Sequence, residues 1–201
     1  MNDELHVRTR RAYRATADRY RTRWATADPL VAAKQRFASL LKRRATVLDV
    51  GCGPGRDLAW FSRAGLRPIG LDPVVEMLQA CPEGIPVIVG DVRQIPLAAD
   101  SIEGWWASAS LLHLTGAELP VALRELARVS RPKAVGFVAV KQGDGDELEP
   151  VDGGPHHRYF RYWQPDGLDS ELEAAGFGII ARETAEDSLG RRAWLHRLVR
   201  Y

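Results

Sequence analysis

The segment Val47-Leu48-Asp49-Val50-Gly51-Cys52-Gly53-Pro54-Gly55-Arg56-Asp57 constrains this chain more than any other. A short apolar run that ends in Gly-x-Gly-x-Gly and passes into a helical pattern reads as a buried strand, a tight turn and a helix start. The turn needs backbone angles that glycine adopts cheaply, and the missing side chains let a ligand approach the main chain. The rest of the sequence repeats the alternation. Strand-like runs at 46–50, 66–71, 85–89, 102–107 and 134–141 are separated by helical patterns at 57–64, 73–80 and 118–130. That order predicts an α/β fold, an open and mostly parallel sheet joined by right-handed crossovers.

The two ends of the chain read differently. Residues 5–24 carry Tyr13, Ala17, Tyr20 and Trp24 at helical spacing, and Asp28-Pro29 looks like an N-cap that opens a second helix to about residue 44. Residues 143–154 are rich in Gly, Asp, Glu and Pro and predict a mobile connection. A helix over 165–175, stopped by Gly176, precedes strands near 177–183 and 192–199, so the sheet is expected to gain two strands at its end.

With 201 residues, 45% hydrophobic and 27% charged, the chain suits one globular domain with a proper core. Two cysteines, Cys52 and Cys81, are too few to staple a secreted fold of this size. The first residues are polar and basic, unlike a signal peptide. The longest apolar runs fall far short of the roughly 20 residues that span a bilayer. The expected location is the cytoplasm, with no membrane partner. The formal net charge of +2 hides a strong polarity, because residues 1–44 hold twelve Lys/Arg against four acids, +8, which leaves −6 for the remainder.

Two acids sharpen the glycine loop. Asp49 stands two residues before Gly51, where a carboxylate is out of place beside a pyrophosphate. Asp72 ends the next strand 23 residues later and suits the two hydroxyls of a ribose. The spacing favours a nucleoside ligand that carries a positive group near Asp49.

With these residues in order, the chain resembles the class I S-adenosylmethionine-dependent methyltransferases, in particular the small-molecule enzymes of the type 11 and ubiquinone-biosynthesis-like groups, over residues from about 13 to the C-terminus. The resemblance implies a Rossmann-like, seven-stranded, mostly parallel sheet with helices on both faces and an N-terminal helical lid. It implies a single domain over 1–201, made of a helical cap (1–44), a cofactor-binding half (45–141) and a substrate-side half (142–201). The implied cofactor is S-adenosyl-L-methionine. By the same resemblance Asp49, Gly51, Gly53 and Gly55 line its methionine part, Asp72 holds the ribose, and Met77 lies against the adenine. Asp91 and Val92 then serve the adenine edge, Ala107 and Ser108 back the cofactor, and Tyr13 and Tyr20 fold over it near the sulfonium. One departure stands out: many relatives carry an acid or Asn at the position of Ala107 or Ser108, and this chain has neither. No Asp/Asn-Pro-Pro-Tyr motif follows the fourth strand, which argues against amino-methylation of DNA bases.

Several features carry a bland reading beside the functional one. Asp72 also suits a helix cap, Asp91 a turn, and Tyr13 and Tyr20 a packed helix face. His113, just past the fourth strand, is the candidate general base, with a structural histidine as the alternative. Ser110, His113, His157, Arg158, Tyr159, Tyr162 and Trp163 form the candidate acceptor side. The aromatics at 156–163 serve equally well as anchors for the connection before them. No spacing suits a metal site.

The leading expectation is in-line methyl transfer to O, N or C of a small-molecule acceptor, by a monomer or homodimer. An RNA methyltransferase is the runner-up, from the basic front end and the aromatic-basic cluster. A non-catalytic protein that binds S-adenosylmethionine or S-adenosylhomocysteine is the third. The arginines of residues 1–44 alternate with apolar positions, a pattern of solvated faces on amphipathic helices, so a nucleic-acid partner is not favoured.

Overall fold

The computed structural model describes residues 2–23, 28, 30–151, 154–186 and 192–201. Strand β1 (Thr46–Val50) is buried from Val47 onward because successive residues enter different cores. Val47 joins Phe37, Phe61, Trp106 and Phe137 on one face of the sheet, while Leu48 joins Trp105, Leu123, Leu168 and Phe177 on the other. A strand covered on both faces is a near-continuous apolar run, which is why its sequence lacks polar alternation.

From β1 the chain passes through α3 (Arg56–Arg63) to β2 (Arg67–Asp72), then α4 (Val75–Leu78) and β3 (Val87–Val89). It returns through β4 (Ile102–Ser108), a single 3-10 turn (Leu111–His113) and α5 (Leu119–Val129) to β5 (Ser130–Lys141). Then come β6 (Asp146–Pro150), β7 (His157–Arg161), α6 (Pro165–Ala174), β8 (Gly178–Ala185) and β9 (Trp194–Arg200). The seven-stranded sheet has the order β3-β2-β1-β4-β5-β9-β8. Pairs from β3 to β5 are parallel, and β9 runs antiparallel to both β5 and β8. The order reverses between β1 and β4, and in open α/β sheets the carboxyl ends flanking such a switch point form a crevice.

The close approach of β4 and β5 depends on one glycine. Trp105 is fully buried opposite Gly136, and a Cβ built there would lie 2.2 Å from two carbons of the indole. Gly136→Ala is therefore expected to destabilise the fold by about 2–3 kcal/mol through overpacking, read as a lower denaturation midpoint with unchanged slope.

The ends of the chain depart from the sequence expectation in four places. First, residues 143–154 were expected to be a mobile connection, yet they contain β6, which pairs antiparallel with β7. Its acids look like solvated loop until the partner strand sets Arg158 opposite Glu149 and Arg161 opposite Asp146. Second, α1 (Asn2–Arg23) rests on β7 and α4 but buries His6, Thr9, Ala12 and Thr16 instead of an apolar stripe. It docks through polar contacts: His6 Nε2 with Glu118 Oε1 (2.8 Å) and the Tyr159 amide donating to Thr9 Oγ1 (3.0 Å). Third, α2 (Val31–Ser39) is shorter than expected; Asp28 Oδ1 accepts from the Leu30 amide (3.2 Å) just before its first turn, and Asp28 also pairs with Lys34. Fourth, α4 is a four-residue turn where 73–80 was expected to be helical. Trp24 and Pro29 lie outside the described residues.

Candidate functional site

A cavity of about 730 Å³ opens at the carboxyl ends of β1, β2 and β4, roofed by α1. Its floor is the glycine turn. The amides of Gly51 and Cys52 both donate to the Leu71 carbonyl, at 2.7 and 3.1 Å, which folds the chain back over the end of β2. Gly51 has φ +69°, and a Cβ there would lie 2.5 Å from Ser110 Cβ, so both backbone angle and close approach demand glycine.

Asp72 ties this turn to the next strand. Its Oδ2 accepts from the Gly53 amide (2.9 Å) and its Oδ1 from the Val74 amide (2.8 Å). Burial raises its pKa, opposed by those two amides. Asp49 is 3% exposed, and its Oδ2 is buried with no hydrogen-bond partner among the described residues. Burial, and then the neighbouring Asp57, hold its pKa well above the ordinary carboxylate range. Ser110 Oγ is likewise buried and unmatched. Both residues line the cavity, and an unmatched buried oxygen on each leaves acceptor capacity beside it.

Behind the glycine turn lies a polar cluster. Lys34, fully buried, donates to Asp28 Oδ2 (2.5 Å) and Asp57 Oδ1 (2.8 Å). Asp57 also accepts from Trp106 Nε1 (2.9 Å) and from Arg56 Nε (2.8 Å). Burial alone raises the pKa of Asp57, but Arg56 and Lys34 outweigh it and hold the group below its ordinary range. At the other end of the cavity, Arg93 grips Asp91 with two nitrogens and reaches Glu118, which also meets His6.

His113 has a different occupation from the one expected of a general base. Its Nδ1 lies 2.6 Å from the Tyr159 carbonyl, so that nitrogen carries the proton. Its Nε2 therefore accepts from the Tyr13 hydroxyl at 2.7 Å. Burial pushes its pKa down to about 3. A weak base whose lone pair is already engaged is poorly suited to take a proton; it holds Tyr13 instead. Arg158 Nη1 approaches the same hydroxyl at 3.4 Å, with the guanidinium 5.4 Å from the Tyr13 ring centre.

The neutral state of His113 has a measurable consequence. With the folded pKa near 3 and the ordinary value 6.5, the unfolded chain binds the proton first as pH falls. Stability from this group is complete above about pH 6.5 and is lost toward pH 3, at up to about 1.4 kcal/mol per pH unit. His113→Asn is expected to flatten that part of the acid limb of a stability–pH curve measured by urea unfolding.

The cavity brings together Tyr13, Tyr20, Asp49, Gly51, Gly53, Asp72, Met77, Asp91, Val92, Ser108, Ser110 and His113 of the sequence-derived candidates. Gly55 caps α3 outside the lining, and Ala107 is buried in the core. The aromatic-basic candidates do not line it either. His157 is exposed, Tyr159 bonds Asp146, Tyr162 bonds Glu147 and Glu149, and Trp163 packs in the core. Arg158 touches the site only through Tyr13. These side chains anchor the β6–β7 hairpin, the alternative the sequence left open. Sequence reasoning missed His6, Thr9, Cys52, Asp57, Trp194 and His196 in the lining. Spacing held a signal for Thr9, four residues before Tyr13 on one helix face, but none for the contacts between distant elements. Among the described residues no group of three or more His, Cys, Asp or Glu is placed to hold a metal ion, and no helix is long and apolar enough to cross a membrane.

Residues 48–138, which span the glycine turn, Asp72, Asp91 and the β4–β5 pair, match the family model of a methyltransferase domain. The chain belongs to the class I S-adenosylmethionine-dependent methyltransferases. Among curated members of the family, it is 30% identical over 157 residues to malonyl-[acyl-carrier protein] O-methyltransferase of Pseudescherichia vulneris, covering 76% of this chain and 55% of that protein. It is 33% identical over 121 residues to methyltransferase GfsG of Streptomyces halstedii, covering 52% of this chain and 43% of that one. The chain thus spans about half the length of the curated relatives it matches. The fold is similar to that of 1,6-didemethyltoxoflavin-N1-methyltransferase from Burkholderia thailandensis, solved with S-adenosylhomocysteine and 1,6-didemethyltoxoflavin bound. The TM-score is 0.82 at 21% identity, covering 100% of this chain and 90% of that one.

Proposed function

We propose that this chain transfers a methyl group from S-adenosylmethionine to a small-molecule acceptor. The observation that carries the reading is the buried, unmatched Asp49 Oδ2 facing a cavity at the switch point of the sheet. A carboxylate kept from water and from protein donors suits a cationic, donor-bearing ligand. The residues present fit the family's cofactor: Asp72 for the ribose hydroxyls, Asp91 and Val92 for the adenine edge, and Met77 for the adenine face. Gly51, Gly53 and Ser108 give close passage for the methionine part. Tyr13 and Tyr20, edge to face at 5.5 Å, offer π surfaces to a positive centre.

When bound, the cofactor supplies an electrophilic methyl group on a positively charged sulfur. The protein's part is alignment and the exclusion of water. Tyr13 is fixed for that purpose by His113 and Arg158, so His113 acts as a positioning residue. A small acceptor is supported by the enclosure of the cavity under α1 and by the acceptors in the names of the relatives, an acyl-carrier-bound malonyl group and a didemethylated toxoflavin.

The test uses S-adenosylmethionine labelled in its methyl group, incubated with the protein and separately with small-molecule and RNA fractions of a bacterial extract. Label in the small-molecule fraction, with release of S-adenosylhomocysteine, is the expected result. Label in RNA overturns the acceptor class. Failure of the protein to bind S-adenosylhomocysteine by calorimetry removes the reading altogether.

A further inference from the structure

The cavity does not end where the cofactor candidates end. Past β4 it continues along the sheet edge over Ala139, Trp194 and His196, bounded by Ala185, Glu186 and Asp28. In the antiparallel β5–β9 pair His196 lies opposite Ala139, near the carboxyl end of β5. Its ring leans on Phe137, with centroids 5.6 Å apart. Unlike His113, His196 has no hydrogen bond at either ring nitrogen among the described residues. His6, the third imidazole in the lining, is held through its Nε2 by Glu118, so among the described residues His196 is the one with both ring nitrogens open.

We infer that this lobe receives the methyl acceptor, and that His196 is the side chain that binds the acceptor's O–H or N–H and takes its proton. The inference rests on the methyl-transfer reading above. The lobe also indicates the class of acceptor. Trp194 gives a partly buried aromatic surface. The carboxylates of Asp28, Asp57 and Glu186 line the lobe, while Arg56 is tied to Asp57. Lys34 and Arg56 offset Asp28 and Asp57, so among the described residues those cations are already committed to acids, which suits a neutral, planar acceptor.

The surroundings keep the imidazole in its basic form. Burial lowers the pKa of His196, Glu183 across the β8–β9 pair opposes this, and Arg197 adds to it. Glu183 is itself paired with Arg36 of α2, and the Arg197 side chain is turned to Asp169. In the transfer, the acceptor's oxygen or nitrogen lone pair bonds the methyl carbon and the carbon–sulfur pair remains on sulfur. The acceptor's proton passes to a His196 ring nitrogen and then to water.

The test uses the full chain saturated with S-adenosylhomocysteine. Diethyl pyrocarbonate acylates neutral, open imidazoles, and peptide mass mapping locates the product. His196 is expected to react about ten-fold faster than His113, whose two nitrogens are engaged. Three neutral planar probes, 7-hydroxycoumarin, indole and 3-hydroxypyridine, are then added in turn. At least one is expected to protect His196 without protecting the exposed His157, and to bind about ten-fold more weakly to His196→Gln and to Trp194→Ala. S-adenosylhomocysteine affinity is expected to stay within about two-fold in both variants, which also reports folding. Should Trp194→Ala not fold, the near-isosteric His196→Gln carries the comparison. The inference is overturned if His196 reacts no faster than His113, if no probe protects it, or if malonate protects it as well as the neutral rings. Each of those results leaves cofactor binding intact, whereas a wild-type protein that does not bind S-adenosylhomocysteine sinks the underlying reading instead.

Discussion

Lys34→Met is expected to cost about 3–5 kcal/mol of folding stability, the largest loss from any single side chain outside the apolar core. Lys34 is fully buried and donates to both Asp28 and Asp57. Removing the ammonium leaves two carboxylates facing each other's field, with Asp57 only 5% exposed. Arg56 and Trp106 would remain as partners of Asp57, which keeps the cost finite. For a chain of this size the loss corresponds to about 10 °C in melting temperature. The pH dependence gives a second readout. Because Arg56 and Lys34 hold Asp57 below its ordinary range, its contribution is present above about pH 4 and is lost on acidification through the folded pKa. In Lys34→Met the folded pKa moves back toward the ordinary value, so that acid loss is expected to be smaller. An unchanged melting temperature would show that the cluster is not closed as described.

Asp72→Ala is expected to weaken S-adenosylhomocysteine binding about 100-fold, equivalent to about 3 kcal/mol. The carboxylate does two things. In the proposed reading it meets the ribose hydroxyls, and it accepts from the Gly53 and Val74 amides that fix the glycine turn. Alanine removes both functions and leaves two amides without their acceptor. Asp72→Asn keeps the shape and one good acceptor, so a loss of about ten-fold is expected. Calorimetry on folded variants, checked by thermal melts, measures both. If Asp72→Ala binds as tightly as wild type, the cofactor does not lie over the glycine turn.

How much of this was legible beforehand depended on whether the information was local. The glycine turn, Asp49, Asp72 and the alternation of strands and helices are encoded within stretches of a few dozen residues. Their positions follow from backbone preferences and apolar runs. The β6–β7 hairpin was not legible, because a strand of acids reads as solvated chain until its basic partner strand is alongside. The aromatic-basic run at 156–163 was legible as a cluster but not by role. Most of its side chains go to the core, the hairpin and α1; Arg158 reaches the site through Tyr13, and Phe160 packs behind His113. Lys34 was counted with the other cations of the front end and given no role of its own. Phe37, three residues on and buried with it, shared its helix face and marked it as an inward position.

The polarity of the chain resolves in the same way. Helix α1 carries half of the basic excess; Arg8, Arg11, Arg14 and Arg19 are exposed on it, and Arg14 reaches Glu76 beside the site. The helix itself is held by His6, Thr9 and Tyr13, three polar residues that a hydrophobicity pattern passes over.

By itself the sequence determined the fold class, the mostly parallel sheet, and the glycine loop with the acids that follow it. Each of these depends on contacts close along the chain or on the parity of a strand. Only the tertiary structure decided the roles of the histidines. His113 is kept neutral by burial, and its nitrogens are engaged by a carbonyl 46 residues away and a hydroxyl 100 residues away. His196 is left open because β9 inserts antiparallel beside β5 and sets it over the cavity. Proton-transfer capacity depends on burial and on which lone pairs are already engaged, and both are properties of neighbours in space.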